Sequence, residues 1–291
     1  MSGSTLAARA LGRLLAEYRQ RAQLTRSAAA RVVDTSIQTI GRLEDGLKTK
    51  VSRVWINALA DAYKCSDDER RLLLGLAQEM ASAQQNWWRA YEDAMKPRFD
   101  YYLGLEASAR HVSFWRQADV PGLFQTPAYR RAIEWTEHPT MPPEQVERRV
   151  EMAMRRKNRL EDKGFEIDVV LSEAALRGQI GGPAVLAEQL RYLADLSQLP
   201  NVSIRYVPHD APSHLGSVVE SFVLLEFPKL PATGMVEPPV VYIEGFVGDL
   251  YLEREPEVRR YRHAFGEISR VALDPVTTRQ VMLSRAKECG E

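Results

Sequence analysis

Residues 24–46, LTRSAAARVVDTSIQTIGRLEDG, restrict the fold of this chain more than any other stretch. Ala28, Ala29, Val32 and Val33 make a short amphipathic helix after Thr25, and Asp34 is a residue type that tolerates the left-handed turn ending it. Ser36 then caps a second short helix running to Glu44, and Gly46 closes it. Two short helices joined by so tight a turn are held at one angle, and Ala29, Val32, Ile40 and Leu43 are the residues expected to set it. That leaves Ile37, Gln38, Gly41 and Arg42 on the outward face of the second helix.

Those side chains suit the edges of base pairs in a major groove. Gln bonds adenine in a bidentate manner, Arg does the same with guanine, and an apolar side chain touches the thymine methyl. Gly41 is expected to permit close approach of backbone or nucleic acid. Arg26, Ser36, Thr39, Lys48 and Lys50 are expected to meet phosphates, which position a protein without specifying sequence. The charge agrees. Residues 1–53 hold ten Lys/Arg against four acids, a net +6, and the remainder is −6 because the whole chain is neutral. A basic segment on an acidic body points to a polyanion partner for that segment alone, here double-stranded DNA.

The pattern Leu24-Thr25, Ala29, Ser36-x-x-Thr39-Ile40-x-Arg42-x-Glu44-x-Gly46 resembles the Cro/repressor-like (XRE-type) helix-turn-helix family over residues 6–65. The resemblance implies a structural pair in which an arginine of the first helix holds the glutamate ending the recognition helix; the matching residues are Arg19 and Glu44. Three positions depart from the family. Arg26 stands where Gln is frequent, Asp34 replaces the turn glycine, and Thr35 replaces the apolar residue after it.

Further along, the pattern predicts an α+β protein in three parts. Residues 1–82 read as an all-α, five-helix domain. Residues 83–116 read as a helical connector rich in aromatics, from Trp87 and Trp88 to Phe114 and Trp115. Residues 117–291 read as a mixed α/β domain. In the last, Thr126-Pro127 opens a helix, strands are expected at 165–171, 202–207, 218–227 and 240–246, Pro228–Pro239 is expected to be a surface loop, and two helices finish the chain.

This larger part resembles the C-terminal domain of unknown function that follows such helix-turn-helix units in actinobacterial regulators. The stretches that match are Val120-Pro121-Gly122-Leu123-Phe124-Gln125-Thr126, Leu171-Ser172-Glu173-Ala174-Ala175-Leu176 and Val241-Tyr242-Ile243-Glu244-Gly245, with Leu105-Glu106-Ala107 before them. The resemblance implies a bacterial transcription factor with a possible small companion protein, and brings no catalytic residues. Trp87, Trp88, Glu106, Arg110, Gln125, Glu173 and Glu244 are candidates for an effector or partner pocket; each taken singly also reads as core, cap or strand surface.

Other classes find little support. The two cysteines, Cys65 and Cys289, have no zinc-ligand spacing, and His209-x4-His214 lies in a proline-bearing loop with no third ligand close in sequence. No nucleophile, base and orienter can be named, so no enzyme, metal or cofactor is expected. No apolar run is long enough for a membrane span and no signal peptide is recognisable, which predicts a cytoplasmic protein. The reading is a homodimeric DNA-binding regulator whose C-terminal domain senses an effector or protein partner. The alternative is an antitoxin-like protein that binds a small companion and controls its own operon.

Overall fold

The computed structural model describes residues 6–47, 51–82, 87–96, 99–231 and 233–290. The chain divides into two compact units: Met1–Ser108 with Phe227–Glu237, and Ala109–Glu226 with Pro238–Glu291. The fold is α+β.

The first unit opens with α1 (Leu6–Arg21), α2 (Arg26–Val32), α3 (Ile37–Glu44), α4 (Arg53–Ala62) and α5 (Asp67–Ser82). Side-chain caps start three of them: Thr25 accepts from Ala28 N, Ser36 from Thr39 N and Ser52 from Trp55 N, each at 3.1 Å. Ser66 and Glu69 form a reciprocal capping box before α5. Gln23, Asp34, Gly46 and Lys64 take positive φ where helices end, which is the conformation Asp34 and Gly46 are suited to. Leu11, Leu15, Ile40, Leu43, Ile56, Leu59, Leu73 and Leu76 form the core, all nearly inaccessible. Val33, not Val32, faces inward between α2 and α3. Val32 is the last helical residue and stays 41% exposed.

Residues 83–116 are not a continuous helical connector. A 3-10 segment at Trp87–Ala94 and α6 (Phe99–Ser108) belong to the first unit, whereas His111–Arg116 is strand β1 of the second. The run Val112-Ser113-Phe114-Trp115 is buried throughout, as in a strand covered on both faces, and such a run lacks the period-2 signature that separates strand from helix. Nor is 227–237 a plain surface loop: Phe227, Leu230 and Glu237 are buried, and Lys229 and Val236 pair as an antiparallel bridge.

The second unit is a six-stranded sheet. After β1 come α7 (Pro127–Glu137), α8 (Pro143–Arg156), β2 (Glu166–Ser172), α9 (Glu173–Arg177), α10 (Pro183–Leu196), β3 (Val202–Val207), β4 (Phe222–Glu226), β5 (Val240–Ile243), β6 (Leu250–Leu252), α11 (Glu255–Val271) and α12 (Pro275–Glu288). The strand order is β3-β2-β1-β4-β5-β6, with β1, β2 and β3 parallel and β4, β5 and β6 antiparallel. Trp115, Val170, Phe222, Leu224 and Val241 share a core with Val258 and Ile268 of α11. The Pro121–Gln125 turn is pinned from α10, where Gln189 accepts from Thr126 N and donates to Phe124 O, both at 2.7 Å. Thr126 caps α7 and Pro127 sits in its first turn, as the sequence predicts. Strand β6 lies outside the strands expected from the sequence.

Candidate nucleic-acid interface

Helix α3 is fastened at both ends. Ser36 Oγ caps it and lies 2.9 Å from Thr39 Oγ1, so the two hydroxyls serve each other. Ile40 and Leu43 point inward, while Ile37 (54% exposed), Gln38 and Arg42 point out. Gly41 does not join them. It is buried, facing α2, and the Arg26 guanidinium lies 3.5 Å from where its Cβ would stand. By the 3.6-residue period position 41 falls between 37 and 38, so Gly41 is buried because the Arg26 side chain lies over it and not because it turns away from that face.

At the far end, Glu44 is the hub of a three-residue ion cluster. Arg19 donates from Nε to one carboxylate oxygen at 2.5 Å and from Nη2 to the other at 2.9 Å; Arg26 donates from Nε to that second oxygen at 2.8 Å. Arg19 also reaches Leu24 O at 2.8 Å, tying the α1–α2 turn to the same group. Burial pushes the Glu44 carboxyl up, but bonds from Arg19 and Arg26 outweigh it and hold it below the usual range. The pair Arg19–Glu44 is thus present as the family resemblance implies. Arg26, expected at a phosphate, is instead held by Glu44 through Nε, with Asp45 3.6 Å from its Nη2; its side chain stays 45% exposed. Gly12 of α1 makes the approach of the two helices possible: a Cβ there would lie 2.5 Å from the carbonyl oxygens of Leu43 and Glu44.

Most of the arginines behind the N-terminal positive charge are already engaged. Arg9 stacks over the Phe227 ring at 5.3 Å, Arg13 bonds Glu237 at 2.7 Å, and Arg21 forks onto Glu69 at 2.5 and 2.9 Å. Arg31, Arg42 and Arg53 make no side-chain hydrogen bond or ion pair with any described residue, and all three are exposed. Arg53, the first residue of α4 after its Ser52 cap, was not singled out from sequence; the cap-plus-arginine pattern at 52–53 was the signal for it. Lys48 and Lys50 lie outside the described residues.

The seven candidate pocket residues do not assemble into one site. Trp87, Trp88 and Glu106 belong to the first unit, where Trp88 and Glu106 are buried and the Trp rings meet edge-on at 5.8 Å. The other four belong to the second. Arg110 precedes β1 and Glu173 follows the parallel β2, so they stand at opposite ends of the sheet. Gln125 is buried and donates to Val120 O at 2.7 Å; Glu173 accepts from His209 N at 2.7 Å and pairs with Arg177; Glu244 lies 3.9 Å from Arg116. Residues close in the pattern of burial were dispersed by strand direction, which single-sequence reading did not supply.

A cluster that sequence missed sits on β1, β2 and β4. His111 Nε2 is 2.9 Å from Asp168 and Nδ1 is 3.1 Å from Glu226, which also accepts from Arg262 at 2.7 Å. Bonds to Asp168 and Glu226 raise the imidazole to about 9, and the same contact with His111 lowers Glu226 to about 2. The group is a satisfied ion network in which a charged imidazole bridges two carboxylates. His209 and His214 are not brought onto a shared third ligand; His214 packs edge-on against Trp115. Among the described residues Glu134, Glu137 and His138 bring ligand atoms within 4.8 Å of one another, but Glu134 is already held by Arg130 and Arg149. No helix among the described residues is long and apolar enough to cross a membrane.

A family model described as a domain of unknown function, DUF5753, matches residues 99–284, and one described as a helix-turn-helix domain matches residues 10–73. No curated protein and no solved structure matches the chain.

Proposed function

The chain belongs to the DUF5753 family, and from that premise we propose that it is a transcriptional regulator of the Cro/repressor-like type, reading double-stranded DNA with α3. One observation carries the reading: Ile37, Gln38 and Arg42, which pairs with none of the described residues, stand together on the outward face of a helix capped by Ser36 and clamped through Glu44. Apolar, amide and guanidinium groups on one rigid face are what base edges in the major groove require. Arg31 and Arg53 add exposed cations for the backbone, and Arg26 keeps part of its fork accessible beside them. Ser36 and Thr39 hydroxyls lie at the start of the same helix.

A single eight-residue recognition helix offers a small contact, so the protein is read as a homodimer on half-sites about one helical turn, roughly 34 Å, apart. The second unit, larger than DNA reading needs, is assigned to sensing an effector or protein partner and not to catalysis. The test is selection of bound sequences from a random DNA library by the full chain, with sedimentation alongside. Enrichment of a two-fold-related site bound by two copies supports the proposal; no enriched sequence, or binding insensitive to sequence, overturns it.

A further inference from the structure

The residues 227–237 lie within the DUF5753 match, 99–284, yet they belong structurally to the first unit. We infer that this hairpin is a working part of the DNA-reading module, a positioning element for α3. The inference rests on the DNA-reading role proposed above.

The hairpin is a built structure. Leu230 N donates to Met235 O at 2.7 Å and Gly234 N to Leu230 O at 2.8 Å, with the Lys229–Val236 bridge closing the arms. It grips α1 at two points. Arg9 lies over the Phe227 ring, and Arg13 donates to Glu237, whose carboxylate is 1% exposed. A buried carboxylate needs its cation, because an unpaired charge there is costly. Arg13 is that cation: it is the ion-pair partner of Glu237, and it comes from α1, 224 residues away.

The same turns of α1 also bear on α3. A Cβ on Gly46 would lie 2.9 Å from Arg9 Cα, and a Cβ on Gly12 would strike the last two carbonyls of α3. Arg19, two turns further on, clamps Glu44. Helix α1 therefore touches both the hairpin and the recognition helix, with no spare room on the α3 side. A shift of α1 is passed to α3 by hard contact. Residues 6–12 of α1 are all buried, a pattern that one amphipathic face does not produce. The ends of the hairpin run straight into β4 and β5, so a segment of the C-terminal half of the chain sets the frame of the recognition helix.

The test uses the full chain and the DNA sequence that the wild type selects. Glu237→Gln and Phe227→Leu are compared by anisotropy over a salt series, at a temperature where circular dichroism shows each to be fully folded. Each is expected to weaken binding by ~5-fold or more with the preferred sequence kept. The slope of affinity against salt should not change, because no phosphate contact is removed. Arg13→Gln with Glu237→Gln should be no weaker than Arg13→Gln alone. Should Glu237→Gln fail to fold, Phe227→Leu carries the test. Wild-type affinity in a folded variant, or a weakened affinity with a shallower salt slope, overturns the inference while leaving the DNA reading intact. A wild type that selects no sequence overturns both.

Discussion

Arg19 and Glu44 face each other in parallel, guanidinium fork to carboxylate, at 2.5 and 2.9 Å, with Glu44 only 2% exposed at its side chain. The pair joins the last turn of α1 to the last residue of α3. Because Arg26 shares the second oxygen, the site carries two cations on one anion and is tuned to Glu44 being ionised.

Glu44→Gln is expected to destabilise the helix-turn-helix unit by ~3–5 kcal/mol, since it leaves two guanidinium groups around a neutral amide. Chemical denaturation followed by helix signal measures it. The acid side follows the same logic. Glu44 is held below its ordinary value, so its contribution is present above the unfolded value near 4.5 and is lost as pH falls below it.

The two glycines at the α1–α3 and α2–α3 contacts should behave oppositely. Gly12→Ala places a methyl 2.5 Å from two carbonyl oxygens and should cost ~1–3 kcal/mol. Gly41→Ala meets only the flexible tip of Arg26 at 3.5 Å and gains helix propensity, so it should be neutral or stabilising by up to about 1 kcal/mol. Melting temperatures of the two variants side by side decide the matter; equal losses would mean that the two glycines are packed alike.

The His111 cluster makes the second unit sensitive to alkali. Its folded value near 9 lies above the ordinary 6.5, so its stabilisation is complete below 6.5 and is lost as pH rises through 9. Glu226, near 2 against an ordinary 4.5, contributes above 4.5 and ceases to as pH falls through 2. Between pH 6.5 and 9 the wild type should lose about 1–3 kcal/mol. In His111→Gln that slope should flatten, as read by denaturant midpoints across the range.

Arg42→Ala should cost about 1–3 kcal/mol of DNA binding and relax preference at one base position. Arg53→Ala should weaken all sequences alike and lower the salt slope by about one. A selected motif unchanged in Arg42→Ala would remove that residue from the reading face.

Much of the first unit was legible from residues 24–46. Caps, left-handed turn residues and the 3.6 period are local, and they placed α2, α3 and the outward Ile37, Gln38 and Arg42 correctly. Val32 was misplaced because in a seven-residue helix one step of register decides which face is covered, and Gly41 because a side chain from another helix, Arg26, lies over a position that the period puts on the outward face. Strand β1 was hidden for another reason: a strand buried on both faces carries no alternation. The pairing of His111 with Asp168 and Glu226 spans 57 and 115 residues, and nothing local announces it.

By itself, then, the sequence determined the helix-turn-helix, the outward face of its second helix and the strand–helix alternation of the larger part, since these follow from short-range periodicity and capping. Only the tertiary structure decided which charges remain free. Sequence sees ten basic residues at the N-terminus, but an arginine's availability depends on the carboxylate that reaches it. Glu44, Glu69 and Glu237 arrive from 18 to 224 residues away, and chain topology, not local pattern, brings them there.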